Sequence, residues 1–330
     1  MKIAINGFGR IGRIFFRQAY GKSDVDIVAV NDLGSKENLL YLLTYDSVYG
    51  RYEKEPHGVQ FFQEKNPAYL PWGDLGVDVV VESTGMFATY EKSKAHLNAG
   101  AKRVVISAPA DDAVDTLLIG VNDNKFVNAK PITGNASCTT NSVAPVLAIL
   151  EEHFGIEKAG MTTVHGYTAN QNLVDGPSLT GASEGKSPDM RRGRAAAVNI
   201  IPSPTGAARA VIQSLPDLHG KFDAIAIRVA AITGSLSVTT ALLKKNTTSE
   251  EVNAVFQNAA KEERWAKVLK VTNDPIVSAD IIGEPYGAII DLSLTNVIDG
   301  NLAKVFSWYD NEWGYCATLV KHVEALKALL

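Results

Sequence analysis

Cys138 stands in the run Asn135-Ala136-Ser137-Cys138-Thr139-Thr140-Asn141, a small polar entry to a segment whose apolar residues Val143, Val146, Leu147 and Leu150 recur at helical spacing. That places a thiol at a helix N-terminus, where unpaired N–H groups and the positive end of the helix dipole stabilise a thiolate. The chemistry on offer is nucleophilic attack, as against a small buried cysteine that merely opens a core helix. A nucleophilic thiol needs a base, and His165 follows 27 residues later at the end of the run Met161-Thr162-Thr163-Val164. An imidazole there would pair with the thiolate and shuttle a proton to and from substrate oxygen. His57, His96, His153, His219 and His322 lack such surroundings and are read as surface or capping residues. Groups suited to phosphate accompany the pair: Ser137, Thr139, Thr168, the cluster Arg191-Arg192-Gly193-Arg194, the run from Ser203 through Thr205 and Gly206 to Arg209, and Arg228. Hydroxyls and backbone N–H groups fix phosphate oxygens, and arginine adds charge with bidentate geometry.

A second chemistry opens the chain. Gly7-Phe8-Gly9-Arg10-Ile11-Gly12 follows the apolar run Ile3-Ala4-Ile5, and Asp32 ends the next strand candidate 20 residues after Gly12. In a strand-turn-helix setting the first glycine permits the turn, the second admits a pyrophosphate to the helix N-terminus, and the third lets helix and strand pack closely. Asp32 would accept hydrogen bonds from ribose hydroxyls and repel a 2′-phosphate, so NAD is expected rather than NADP.

The elements that must hold these residues change in texture along the chain. Strand candidates at 2–6, 27–31, 77–82, 103–107 and 117–120 alternate with amphipathic segments at 12–20, 36–44 and 90–99, the pattern of a parallel sheet wound with helices. After Cys138, β-branched runs at 161–164, 224–229, 236–243, 288–291 and 303–308 point to a mixed or antiparallel sheet. Residues 178–188 carry no period and read as an extended surface loop that is mobile and mainly structural. The segment from Cys316, just after a turn at Tyr315, has the spacing of a final helix. The fold class is therefore α/β, a Rossmann dinucleotide-binding domain with a mixed α+β catalytic domain. A length of 330 residues agrees, because single cores stop growing near ~250–300 residues.

Net charge of −4 and a pI near 5.9 argue against nucleic acid as the main partner. Two cysteines give neither a disulfide framework nor zinc spacing, and the first residues run into the fold motif without a signal-peptide layout. A reducing cytoplasm is the expected compartment. No apolar run is long enough to span a bilayer, so no membrane role is expected.

In Ile5-Asn6-Gly7-Phe8-Gly9-Arg10-Ile11-Gly12-Arg13, Ala136-Ser137-Cys138-Thr139-Thr140-Asn141, His165 with Tyr167 and Thr168, Asn199-Ile200-Ile201-Pro202 leading to Thr205-Gly206-Ala207-Ala208, and Trp308-Tyr309-Asp310-Asn311-Glu312, the chain resembles the phosphorylating glyceraldehyde-3-phosphate dehydrogenases of the glycolytic, bacterial-type family. The resemblance runs over essentially the whole chain. It implies Cys138 as nucleophile and His165 as its activator. It implies NAD contacts at Arg10, Ile11, Asp32, Ser107 and Asn311, the last orienting the nicotinamide amide. It assigns Thr168 and Arg228 to the phosphate of glyceraldehyde 3-phosphate. Ser137, Thr139, Arg192, Thr205 and Gly206 go to inorganic phosphate, with Arg191 and Arg194 as rivals to Arg192. It implies residues 1–137 as the NAD-binding domain, completed by a C-terminal helix at 311–330, residues 138–310 as the catalytic domain, and a homotetramer.

Four places depart from the family pattern. Ser142 replaces a frequent second cysteine, sparing the nucleophile a disulfide partner. The loop between Gly176 and Arg191 is longer than usual. Val229-Ala230-Ala231-Ile232-Thr233-Gly234-Ser235 replaces a proline-containing stretch after Arg228. The segment from Tyr52 to Phe62 is shortened, with Lys65 where the family often has an arginine near the adenine. An erythrose-4-phosphate dehydrogenase would share most of these motifs and is the alternative enzyme. A non-catalytic NAD- or RNA-binding protein is disfavoured by the acidic pI and by Cys138, His165 and Arg228 together. A semialdehyde dehydrogenase is disfavoured by the 199–208 and 308–312 blocks.

Overall fold

The computed structural model describes residues 1–178 and 189–330, so the expected loop at 178–188 lies, apart from Ser178, outside the described residues. Two compact units emerge. The first comprises Met1–Leu117, Asp123–Ala136 and Leu319–Leu330; the second comprises Leu118–Asn122 and Ser137–Thr318.

The first unit begins β1 (Lys2–Asn6), α1 (Arg10–Ala19), β2 (Asp26–Asn31) and α2 (Lys36–Thr44). A short hairpin, β3 (Tyr45–Asp46) with β4 (Gly50–Arg51), leads to β5 (Gln60–Phe62) and a one-turn α3 (Trp72–Leu75). Then come β6 (Val79–Glu82), α4 (Tyr90–Asn98), β7 (Arg103–Ile106), β8 (Asp115–Thr116) and β9 (Ile132–Gly134). Among the described residues these strands make a seven-stranded sheet in the order β5-β2-β1-β6-β7-β9-β8, with every pairing parallel. Val79, Val80, Val81, Val104 and Val105 are fully buried, as strands covered on both faces require. The chain reverses its winding between β1 and β6, so the loops after Asn6 and Glu82 open side by side at the switch point where such sheets bind ligands.

The second unit is built on α5 (Cys138–Phe154) and an eight-stranded mixed sheet. Its strands are β10 (Ile156–Gly166), β11 (Ile201–Pro204), β12 (Phe222–Val229), β13 (Ser235–Leu243), β14 (Leu269–Thr272), β15 (Ala288–Asp291), β16 (Asn296–Ile298) and β17 (Leu302–Tyr309). Helices α6 (Ala207–Ser214) and α7 (Ser249–Ala259) belong to the same unit, and α8 (Trp313–Ala325) ends the helical sequence. Burial alternates along β13 and β17, so one face of the sheet is covered while the other stays half-exposed.

Three expectations need correction. Residues 117–120 do not form a strand: Val121 and Asn122 turn back to donate to the Leu118 carbonyl, and Gly120 takes a positive φ of 84°. Cys316 lies inside α8, which already begins at Trp313, and is fully buried. His96 and His322 are fully buried as well. His322 Nδ1 donates to the Leu117 carbonyl at 3.1 Å and Nε2 accepts from the Thr133 hydroxyl at 2.8 Å. Its periodicity within an apolar helix hid this role, because a neutral imidazole serves as a core side chain when both nitrogens are satisfied.

Burial lowers the His322 pKa from 6.5 to about 3. The unfolded chain therefore binds a proton that the folded chain refuses. The stability is fully present above pH ~6.5 and is lost as pH falls toward 3, at up to ~1.4 kcal/mol per pH unit. This residue alone should lower the unfolding free energy by about 2 kcal/mol between pH 7 and pH 5. Urea melts should show that slope in the wild type and a shallower one in His322→Gln; equal slopes would contradict it.

Candidate active site

Ser137 caps α5, its Oγ accepting from the Thr140 N–H at 3.1 Å, and so leaves Cys138 as the first helical residue. Ala136, immediately before the cap, has φ of 53°, a left-handed conformation that costs a non-glycine residue ~1–2 kcal/mol. Such strain, held by surrounding structure, sets the entry angle of a functional turn. His165 comes from β10 and Arg228 from β12; the strands are parallel and the two residues are register partners. Both point to the covered face, because Thr163 and His165, and likewise Ala226 and Arg228, are buried at alternate positions.

Cys138 Sγ lies 3.4 Å from His165 Nε2. Two groups meet Nδ1 and ask opposite things of it: the Gly166 carbonyl, 2.6 Å away, only accepts and calls for a proton on Nδ1, which turns the Nε2 lone pair to the thiol, whereas Arg228 Nη1, 2.8 Å away, only donates and calls for a lone pair there. Arg228 Nη1 is also 3.4 Å from the Gly166 carbonyl. Beneath the thiol, Tyr309 Oη bridges Thr139 Oγ1 at 3.1 Å and Thr163 Oγ1 at 2.7 Å, and its ring meets His165 edge-on at 5.9 Å. Burial and the neighbouring Cys138 push the Tyr309 hydroxyl far above its usual range. Tyr309 therefore stays protonated as a spacer that holds helix and strand together.

Electrostatics correct one expectation. Desolvation raises the Cys138 thiol pKa, opposed by Arg228 and by the N–H groups of Thr139 and Cys138. Desolvation, with Arg228, lowers His165 well below its usual value. Neither charge is favoured alone, so the helix N-terminus by itself does not make a thiolate. Transfer of the proton from Sγ to Nε2 creates both charges 3.4 Å apart. At an effective dielectric near 20 their attraction is ~5 kcal/mol, large enough to offset much of the burial cost. Proton transfer within the pair forms the two charges together.

The anion-binding candidates separate by burial. Arg192 is buried, donates from Nε to Ser203 Oγ at 2.7 Å, pairs with Asp189 at 3.2 Å, and is close enough to depress His165. Arg191 and Arg194 are exposed, and Arg194 pairs with Asp175 at 2.9 Å. Thr205 and Gly206 precede α6, with Thr205 Oγ1 accepting from the Ala207 N–H at 3.2 Å. Thr168 follows β10 and donates from Oγ1 to Asn170 at 2.6 Å. Ser142 is buried against Ser307 at 3.0 Å, and neither Cys138 nor Cys316 is in a disulfide.

Asn311 is a buried amide with an assigned orientation. Its Oδ1 accepts from Gly234 N at 3.1 Å, Ser235 Oγ at 2.9 Å and Thr233 Oγ1 at 3.3 Å. Thr233 Oγ1 shares its one proton with Asp310 Oδ1 at 3.2 Å, and the donors from Gly234 and Ser235 assign which end of the amide is oxygen. The replaced stretch after Arg228 thus supplies all three partners. Gly234 is required there, since its φ is 87° and a Cβ would lie 2.5 Å from the Ser278 carbonyl oxygen.

In the first unit, Gly7, Gly9, Asp32 and Lys65 line one cavity of about 280 Å³ with Asn6, Asn31, Ser83 and Thr84. A Cβ on Gly7 would lie 2.6 Å from Thr84 N, and one on Gly12 would lie 2.1 Å from the Gly7 carbonyl oxygen. Gly9 faces open space at the N-terminus of α1, whose cap has no side-chain acceptor. That combination lets a pyrophosphate approach the backbone closely at the helix start. Asp32 accepts from Phe8 N at 2.7 Å and Gly34 N at 2.9 Å, leaving lone pairs for ribose hydroxyls. Arg10 and Ile11 begin α1, with Arg10 paired to Asp46 at 2.5 Å, and Ser107 follows β7 and bonds through N to the Glu82 carbonyl at 2.9 Å. None of these three lines that cavity. Sequence reading missed Tyr309, Asn6, Asn31 and Thr84; polar residues at strand ends within otherwise apolar runs were the available signal.

Cradle, switch point and thiol–imidazole pair define a dinucleotide-dependent dehydrogenase. Family models described as the NAD binding domain and the C-terminal domain of glyceraldehyde 3-phosphate dehydrogenase match residues 1–90 and 137–311. The chain is 48% identical to the glyceraldehyde-3-phosphate dehydrogenase of Mycobacterium avium over 341 residues, covering 97% of this chain and 96% of that protein. It is 46% identical to the enzyme of that name from Clostridium acetobutylicum over 334 residues, again covering 97% and 96%. The chain belongs to the glyceraldehyde-3-phosphate dehydrogenase family, and is accordingly an oxidoreductase that uses NAD. No helix among the described residues is long and apolar enough to cross a membrane.

Because the two charges form together, His165→Asn should raise the Cys138 titration further and slow its alkylation by iodoacetamide at neutral pH at least tenfold. Cys316, buried in α8, should stay unlabelled on that timescale. Peptide mass mapping measures both rates; an unchanged Cys138 rate would contradict the coupling.

Proposed function

We propose that the protein converts glyceraldehyde 3-phosphate, NAD and inorganic phosphate to 1,3-bisphosphoglycerate through an acyl group carried on Cys138. The observation that carries this reading is the 3.4 Å approach of Cys138 Sγ to His165 Nε2. Sγ attacks the aldehyde carbon while its proton passes to Nε2, and that proton then moves to the new alkoxide, giving a thiohemiacetal. NAD, when bound, accepts the hydride. His165 takes the hydroxyl proton as the carbonyl of the thioester forms. A phosphate oxygen next attacks the thioester carbon, the C–S bond breaks, and His165 returns its proton to sulfur. The Cys138 backbone N–H, already directed at Sγ, helps hold the oxyanion.

Arg228 and Thr168 hold the substrate's own phosphate, and Ser137, Thr139, Arg192, Thr205 and Gly206 hold the attacking one. Burial beside His165 supports Arg192 over Arg191 and Arg194. Gly7, Gly9, Arg10, Ile11, Gly12, Asp32, Lys65 and Ser107 hold NAD, and Asn311 presents its amide nitrogen to the nicotinamide. The enzyme acts in the cytoplasm as a homotetramer. Support for assembly comes from Leu173, Val174, Met190, Val198 and Ile200, all more than two-thirds exposed, and from Val164 and Ile225 on the open sheet face. Apolar exposure on this scale marks protein contacts.

NADH formation measured with glyceraldehyde 3-phosphate and with erythrose 4-phosphate, each with and without inorganic phosphate, tests the reading. The triose phosphate should be oxidised faster, with sustained turnover only when phosphate is present. Arg228→Ala should cut kcat/KM on it at least a hundredfold while changing oxidation of unphosphorylated glyceraldehyde far less. Preference for erythrose 4-phosphate would make that the substrate, and equal losses on both trioses would place Arg228 with the thiol–imidazole pair instead of the substrate phosphate.

A further inference from the structure

We propose that Trp72, His96 and Glu82 are positioning residues that set the shape of the cofactor cavity. All three are essentially fully buried. The Trp72 indole N–H donates to His96 Nδ1 at 3.1 Å, and an indole nitrogen only donates. His96 therefore carries its proton on Nε2 and donates it to Glu82 Oε2 at 3.0 Å. The same oxygen accepts from Asn6 Nδ2 at 2.6 Å. Glu82 Oε1 accepts from the Thr84 N–H at 2.8 Å and from the Thr84 hydroxyl. Four donors thus converge on one carboxyl group.

The chain of bonds reaches the cavity on two sides. Asn6 Oδ1 accepts from Asn31 Nδ2 at 2.7 Å, and Asn31 in turn holds both the N–H and the carbonyl of Glu64, at 2.8 and 2.9 Å. On the other side Thr84 Oγ1 accepts from the Met86 N–H at 3.0 Å. Asn6, Asn31, Glu64, Thr84 and Met86 all line the cavity, whereas Trp72, His96 and Glu82 do not. The Trp72 indole, which only donates, assigns His96 the tautomer that donates to Glu82, and the carboxylate, which only accepts, gives the bonds from Asn6 and Thr84 one permitted direction. One arrangement of the cavity wall is selected before the cofactor arrives, which reduces the ordering cost of binding.

This inference rests on the reading that the cavity holds NAD. Calorimetric titration of NAD into the wild type tests that reading: absence of binding would sink it, while binding that the variants leave unchanged would sink only the positioning network. His96→Leu should weaken NAD binding at least tenfold at a temperature where urea melts show the variant folded. Alkylation of Cys138 should proceed at the wild-type rate. His96→Gln, which can accept from Trp72 and donate to Glu82, should recover affinity to within about threefold. Trp72→Phe, which frees His96 to change tautomer, should also weaken NAD and gives the decisive reading if His96→Leu does not fold. Wild-type affinity in Trp72→Phe, or a His96→Gln protein that folds yet binds no better than His96→Leu, would overturn the proposal.

Discussion

Burial sets the Cys138 thiol and the His165 imidazole against charging singly and leaves proton transfer between them as the way to charge both. Desolvation holds the Cys138 thiol and the His165 imidazole in their neutral forms, and Arg228 biases the two groups in opposite senses, toward thiolate and away from imidazolium. What makes the pair usable is the short gap between sulfur and Nε2, maintained by a capped helix start, a strand register and the Tyr309 bridge between them. The rest of the second unit serves that spacing. Parallel pairing of β10 with β12 puts His165 and Arg228 side by side, and β17 brings Tyr309 to the covered face of the same sheet.

The cofactor unit solves a different problem, which is to bring backbone close to a ligand without spending side chains on the contact. Gly7 and Gly12 are demanded by contacts that a Cβ would turn into collisions, whereas Gly9 leaves space open. Asp32 is tied by both oxygens to backbone N–H groups around the same turn, so the residue that should read the ribose also braces the loop that should receive the pyrophosphate. Asn311 has its oxygen satisfied within the protein, by Gly234 N and Ser235 Oγ.

Much of this was legible in the chain because its signals are local. The glycine spacing, the polar run before Val143, the helix at 36–44 and the strand at 2–6 each follow from contiguous residues, and the structure has those elements at those positions. Long-range partners were not legible. Nothing near His96 in sequence announces Trp72 or Glu82, and nothing near His322 announces Thr133; both histidines acquired their roles through contacts made by folding. The strand expected at 117–120 failed for a local reason that apolar counting overlooks, a glycine turn closed by Asn122. The preference for a thiolate failed for a non-local one, since the helix terminus was visible in the sequence and the desolvation around it was not.

Whether Cys138 carries the acyl group is the claim on which the account turns. Intact-protein mass spectrometry after mixing the protein with NAD and glyceraldehyde 3-phosphate, in buffer free of inorganic phosphate, reads it directly. The account predicts one phosphoglyceroyl adduct per chain, mapped to Cys138, discharged on addition of phosphate and absent from Cys138→Ser. An adduct on another residue, or undiminished turnover in Cys138→Ser, would contradict it.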